Sequence, residues 1–348
     1  MGLFKKNFFT IFLIALLLSM TACGSKSSEN TASSSSSGSN DIQELTIKLA
    51  HEVAENTSQH TGSMAFKEYI EKASEGKIKV QVYPNGQLFG DKDVHQQLIA
   101  NNIQFTQIDM AKLVGNDPRF NIPSLPFLFK GDDEAIKFWD SDKGMEIIQS
   151  LEKDGMYGLA MWPNGPKHLT NDKRPIKSPK DLKGLKFRTQ GGQVLEKLFS
   201  AAEAGSVSMP FTELYTALQQ GTVDGQTNTF VNIESKNFDE VQKYLTVSGE
   251  ARVDLVFFAN KKFMDDLNEP TRKIIDEGIK AGTEKARQAS KDMNIEARKK
   301  LEERGEIEIY ELSNEEKEEF RKVWSPIYDE FTPIIGEEYI EAAKQTNQ

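Results

Sequence analysis

Two kinds of hydrophobic spacing alternate along the chain. Leu45, Ile47 and Leu49 occupy every second position, as on the buried face of a strand, and Phe66, Tyr69, Ile70 and Ala73 follow at helical spacing. Ile78, Val80 and Val82 alternate again, and a helix over about 91–100 with a short strand over about 103–108 completes a second unit. Further on, Leu185 and Phe187 predict a strand, Val194, Leu195, Leu198, Phe199 and Ala202 a helix, and Val253, Leu255 and Phe257 another strand. Alternation of this kind predicts α/β architecture up to about residue 260. The pattern then changes. Residues 269–304 read as one long, charge-rich helix that opens near Pro270 and stops before Gly305. Its few apolar positions and many opposite-charge neighbours suit a solvated outer strut.

The N-terminal residues follow neither pattern. Lys5 and Lys6 precede an apolar run from Phe8 to Leu18 that gives way to small and polar residues, the form of a signal peptide over 1–22. The run is shorter than the ~20 residues a membrane-crossing helix needs. Cys23, the one cysteine of the chain, follows Met20-Thr21-Ala22 and precedes Gly24. That arrangement resembles the lipobox of bacterial lipoproteins. The resemblance implies cleavage before Cys23, lipidation of its thiol, and attachment to the outer face of the cytoplasmic membrane. Residues 25–40 are nearly all Ser, Gly, Asn, Lys and Thr, which cannot bury enough apolar surface to order themselves. They read, with Cys23 and Gly24, as a flexible tether reaching on the order of 20 Å. A tether suits a protein that docks on a membrane partner.

The remaining residues, 41–348, exceed the size at which one hydrophobic core keeps growing, so two lobes are expected. The formal charge is -10, and loss of Lys5 and Lys6 with the leader makes the exported part still more negative. Nucleic acid and anionic lipid surfaces are thereby disfavoured as partners. An anionic small molecule is not, because a buried arginine acts locally while distant surface charges are screened.

Reactive constellations are missing from the sequence. His51, His60, His95 and His168 are scattered without the grouping a metal site needs. His51-Glu52 opens like a zinc-protease helix, but Glu55 stands where the second imidazole should be. There is no Gly-x-Ser-x-Gly elbow, no phosphate-binding Walker loop and no dinucleotide fingerprint. Gly191-Gly192 before a helix could present N–H groups to an anion, but more often such a pair makes a turn. Among 53 acidic residues no catalytic pair stands out. No enzyme activity, cofactor or metal is expected.

The segment from Trp162 to Leu255 is more specific. It reads WPNGPKHLTNDKRPIKSPKDLKGLKFRTQ, then SMPFTELYTALQQGTVDGQTNTF, then FDEVQKYLTVS; upstream stand HEVAENT, GQLFGDKDVHQQL and PSLPFLF. These motifs, in this order, resemble the solute receptors of TRAP transporters over about residues 44–330. The resemblance implies a two-lobed, periplasmic-binding-protein-like (type II) fold with a central cleft and a long helix spanning both lobes. Lobe I would comprise 41–166 plus 254–294, and lobe II 167–253 plus 295–348.

It also implies a monomeric receptor without turnover. Such a receptor binds a small organic acid, a four-carbon dicarboxylate or related carboxylate, and hands it to membrane subunits. Arg188 in GLKFR matches the family's carboxylate-fixing arginine, and a guanidinium offers two parallel N–H donors in the plane of a carboxylate. Asn228 matches a ligand-binding asparagine, and Phe211 an aromatic wall of the cleft. A second cation comes from Lys167 or His168. Lys167 is favoured because it keeps its charge at physiological pH. Glu52 and Asn56 in HEVAENT are expected to reach the ligand's far end, although Asn56 fits a helix cap equally well. Thr227 and Gly249-Glu250 depart from the Glu and Asn-His that many members carry, and Pro166 replaces a frequent aromatic. Two alternatives remain: a receptor of this fold serving a sensor kinase, and a lipid-anchored hydrolase, for which no nucleophile with a neighbouring base is visible.

Overall fold

A computed structural model describes residues 41–348; the expected signal peptide, Cys23 and the tether lie outside the described residues. Two sheets organise the described chain, one in each lobe. The first contains β1 (Leu45–Ala50), β2 (Ile78–Tyr83), β3 (Phe105–Asp109), β4 (Met156–Pro166) and a late strand, Arg252–Asn260. The second is built from β5 (His168–Asn171), β6 (Lys186–Thr189), β7 (Gly205–Ser208), β8 (Gly225–Asn228), β9 (Tyr244–Val247) and, after β10 (the Arg252–Asn260 strand), β11 (Glu308–Glu311). The strand orders are β2-β1-β3-β10-β4 and β11-β9-β5-β8-β6-β7.

In the first sheet β1, β2 and β3 run parallel, and β10 pairs antiparallel with β3 and β4. All nine residues of β10 are buried, as befits a strand covered on both faces. The expected strand at 253–257 is therefore real but longer, and it begins at Arg252. The expected strand near 103–108 lies at 105–109, and the helix near 91–100 is confined to Val94–Ile99.

The chain passes between the sheets three times. Lys167 links β4 to β5, residues 248–251 link β9 to β10, and the helix Glu269–Arg304 leads from β10 to β11. That helix has 36 residues and so spans about 54 Å. Its ends carry clear signals: the Asn268 side chain accepts from the Thr271 N–H, Pro270 sits in the first turn, and Gly305 closes it at φ +65°.

The helix is less of a free strut than its composition suggests. Ile275, Gly278, Ile279, Gly282, Ala286 and Ser290 form a buried stripe, part of which packs on the helix Ser58–Ala73. A Cβ at Gly62 on that partner helix would fall 2.7 Å from Ala286 Cβ and 2.8 Å from the Gly282 carbonyl oxygen. Small residues let the two backbones approach, and this contact fixes the long helix to the first lobe. Asn294, Ala297 and Leu301, further along, are buried, and Ala297 and Leu301 join the second lobe's core with Leu245 and Ile307.

Candidate functional site

The carboxyl ends of β1 and β3 from one lobe face the ends of β6 and β8 from the other, the place where open α/β sheets bind ligands. The lobes are closed upon each other. Phe211 N–H donates to Asp91 Oδ2 at 3.2 Å, Gln190 Nε2 to Asp109 Oδ2 at 3.1 Å, and Asn56 Nδ2 to Glu234 Oε2 at 3.4 Å. Gly192, in a backbone conformation with φ +93°, lies against the Ala111 carbonyl, where a Cβ would come within 3.4 Å. The Gly191-Gly192 turn thus lets the lobes meet.

Glu52, Asp109 and Lys112 from the first lobe, and Arg188, Gln190, Phe211 and Asn228 from the second, enclose a cavity of about 20 Å³. That is room for about one water, so a ligand must enter while the lobes stand apart.

Arg188 lies on β6 and is 2% exposed. Its Nε and Nη2 both donate to the Met209 carbonyl, at 3.0 and 2.9 Å, which fixes the guanidinium plane. No carboxylate among the described residues forms a salt bridge with it, and Nη1 has no protein acceptor. Burial pulls its pKa down against the attraction of Glu52, Asp91 and Asp109. An arginine remains a cation regardless. Its guanidinium carbon lies 5.8 Å from the Phe211 ring centroid.

Lys167 is the second uncompensated cation. It is fully buried and its Nζ has no hydrogen-bond partner among the described residues. Burial, together with Arg188 and Lys112, lowers its pKa to about 8 against the opposing pull of Asp109 and Glu250. Although Lys167 does not line the small cavity itself, the charges it senses include Arg188, Lys112 and Asp109, which do.

His168, one residue on, is directed elsewhere. Its ring lies 4.1 Å from that of Phe230, in the wall of a larger cavity behind the hinge. Burial, with Arg298 and Lys317 nearby, lowers its pKa to about 3, so it is neutral at physiological pH.

The first lobe's cation is spoken for. Lys112 Nζ lies 2.5 Å from Glu52 Oε1 and 2.8 Å from Asp91 Oδ2. Burial opposes its charge, but the two carboxylates outweigh it and raise its pKa. Glu52 therefore lines the cavity as half of an ion pair. Asn56 does not line it: Thr57, not Asn56, caps the Ser58–Ala73 helix, and Asn56 reaches only Glu234 at the rim.

Asn228 sits at the end of an amide chain. Its Oδ1 accepts from Asn232 Nδ2 at 2.7 Å, and Asn232 Oδ1 accepts from Asn164 Nδ2 at 3.3 Å. With its oxygen so occupied, the Asn228 Nδ2 donor has no acceptor among the described residues. The two departures from the family pattern also find each other: Thr227 Oγ1 and Ser248 Oγ both donate to the buried Glu250 carboxylate.

Asp109, Lys112, Gln190, Asn164 and Asn232 belong to this arrangement without having been singled out from the sequence. Only Gln190 carried a local signal, since it follows Arg188 by two residues and shares its side of the extended chain.

Comparison with known proteins shows the family. The sequence model of bacterial extracellular solute-binding protein family 7 matches residues 49–333. This chain belongs to that family. Similar proteins include the C4-dicarboxylate-binding protein DctB of Bacillus subtilis, 33% identical over 297 residues, with 85% of each chain covered. The C4-dicarboxylate-binding periplasmic protein DctP of Shewanella loihica is 34% identical, covering 87% of this chain and 90% of its own. Two solved structures superpose with a TM-score of 0.85. A TRAP solute-binding protein of Shewanella oneidensis with bound succinate is 32% identical and covers 87% of this chain and 99% of its own. The sugar acid binding protein of Advenella mimigardefordensis in complex with galactonate is 33% identical, covering 88% and 99%.

Proposed function

We propose that this protein is an extracytoplasmic receptor that closes on a four-carbon dicarboxylate or closely related acid and delivers it to TRAP transporter membrane subunits. The observation that carries the reading is the pair of buried, unpaired cations. Leaving one buried charge without a counter-charge costs about 3–5 kcal/mol; Lys167 has no hydrogen-bond partner among the described residues, and Arg188 has the Met209 carbonyl but no carboxylate in contact. Two carboxylates on one short skeleton supply both missing charges. Phe211 offers the carbon skeleton an apolar wall, and the Asn228 amide donates to a carboxylate or hydroxyl oxygen. Relatives named for C4-dicarboxylates and a structure holding succinate support the same ligand class. Galactonate in an equally similar structure makes sugar acids the competitor to test.

A ligand touching both lobes stabilises the closed state by its differential affinity for it. No reaction is required of the site. On this reading the protein works as a monomer and is held at the outer face of the membrane through Cys23; the anchor rests on the sequence of the first 40 residues.

The test is a thermal-shift and calorimetric panel of succinate, fumarate, malate, galactonate and glucuronate. A dicarboxylate at 100 times its dissociation constant adds about 2.7 kcal/mol, a rise of several degrees in melting temperature. Arg188→Ala abolishes the shift. A panel in which only uncharged sugars stabilise the protein overturns the proposal.

A further inference from the structure

The small interlobe cavity is not the larger one in the molecule. Behind the hinge lies a cavity of about 680 Å³, within the range of small-molecule sites. Its walls come from both strands that join the lobes, at His168 and over 247–252, from the long helix at Lys291 and Asn294, and from the following helix at Lys317. None of these residues lines the interlobe cavity.

Three features give the space a chemical character. First, His168 is 3% exposed, lines the cavity, and leaves both ring nitrogens without a hydrogen-bond partner. Each unsatisfied buried polar atom costs on the order of 1–3 kcal/mol, so an occupant toward which the ring turns to form a hydrogen bond recovers that cost. Second, six Lys or Arg side chains line the cavity against three carboxylates, in a protein of net charge -10. Arg252 is consumed by Asp132 and Asp254, and Arg298 by Glu302 and Glu311, but Lys291 and Lys317 form no salt bridge among the described residues. Third, much of the remaining wall is apolar, with Phe127, Phe129 and Phe230 prominent beside Ser248, Asn294 and Asn314. A dicarboxylate would leave that surface uncovered, and a neutral hydrocarbon would leave His168 and the lysines unanswered.

We infer that this cavity is a second ligand site, taking a small amphiphilic carboxylate such as an aromatic or medium-chain acid. Its carboxylate lies between Lys291, Lys317 and the His168 ring, and its apolar body against the phenylalanines. The position couples it to the front of the molecule. Asn294 lines the rear cavity and donates to the Asn164 carbonyl at 2.7 Å, and the Asn164 side chain continues through Asn232 to Asn228 in the interlobe cavity. An occupant packed on both joining strands therefore favours one degree of lobe closure over another.

The binding claim is independent of what the interlobe site holds. It is tested by calorimetric titration of the full soluble domain with 2-naphthoate. We expect saturable one-to-one binding that Arg188→Ala leaves within threefold. The double variant Lys291→Glu and Lys317→Glu, at surface positions that should not disturb folding, weakens it about tenfold or more. Chemical shifts of the His168 imidazole move on titration, and His168→Leu removes that signal and weakens binding. Absence of saturable binding at millimolar 2-naphthoate overturns the inference. So does binding lost in Arg188→Ala but kept in the lysine double variant, which would place the probe in the interlobe cleft. Equal binding in all variants also overturns it.

Discussion

The two walls of the cleft solve the same electrostatic problem in opposite ways. On the first lobe, Lys112 stands between Glu52 and Asp91 and is neutralised by its own protein. On the second lobe and the hinge, Arg188 and Lys167 are more deeply buried yet form no salt bridge among the described residues, and only more distant carboxylates attract them. The difference separates architecture from binding. A compensated cation keeps a wall in shape, whereas an uncompensated one is stable only because the rest of the fold supports its cost until an anion arrives.

The comparison breaks first at Lys112. Lys112→Met leaves Glu52 and Asp91 shielded from water without their counter-charge, and we expect a loss of about 3–5 kcal/mol in denaturant-measured stability. Arg188→Ala is the reverse case. Ligand binding falls by about 2–5 kcal/mol, or roughly 30- to several-thousand-fold, by calorimetry. The unliganded melting temperature stays level or rises, because an unpaired buried charge has been removed. Should Arg188→Ala destabilise the free protein as much as Lys112→Met does, the division between the walls fails.

A smaller effect is expected along the amide chain. Asn232→Ala deprives Asn228 Oδ1 of its 2.7 Å donor and lets the Asn228 amide turn. Affinity should drop by about 1–2 kcal/mol, with a similar loss of stability. Asn56→Ala, which forfeits only a 3.4 Å contact to Glu234 at the rim, should change either quantity by less than about 0.5 kcal/mol. Equal effects of the two substitutions would show that the rim, not the amide chain, carries the contact.

Much of this was readable in the sequence where the signal is local. The alternation of Ile78, Val80 and Val82 became β2, and the Pro270 and Gly305 punctuation bounded the long helix. Its buried seam was not readable, because Gly278, Gly282 and Ala286 bury little apolar surface and count as hydrophobic on no simple pattern. In the site, Arg188 and Asn228 were visible only through resemblance to a family. Asp109 and Lys112 gave no signal at all. Their role depends on meeting Glu52, some 60 residues earlier, across a sheet whose strand order the sequence does not spell out. The opposite directions of Lys167 and His168 likewise depend on how the chain turns between two sheets, which adjacent residues cannot reveal.

The last test concerns the proton on Lys167 and is read as a pH profile. Burial, Arg188 and Lys112 hold its pKa near 8 in the unliganded fold, against 10.5 when it is free. Between those values the unfolded chain carries a proton that the folded chain has lost. The contribution of Lys167 to stability therefore rises with pH from about 8 to 10.5, and its full cost is felt below 8. Ligand binding has the opposite sign. A carboxylate beside the ammonium raises its pKa, so binding takes up a proton above pH 8 and weakens as pH climbs. At pH 9 we expect affinity about tenfold below that at pH 7, with proton uptake visible when calorimetry is repeated in buffers of different ionisation enthalpy. Lys167→Met should lower affinity at pH 7 and flatten the profile. A profile that stays steep in the variant would assign the titration to another group and leave Arg188 as the one uncompensated cation that the ligand answers.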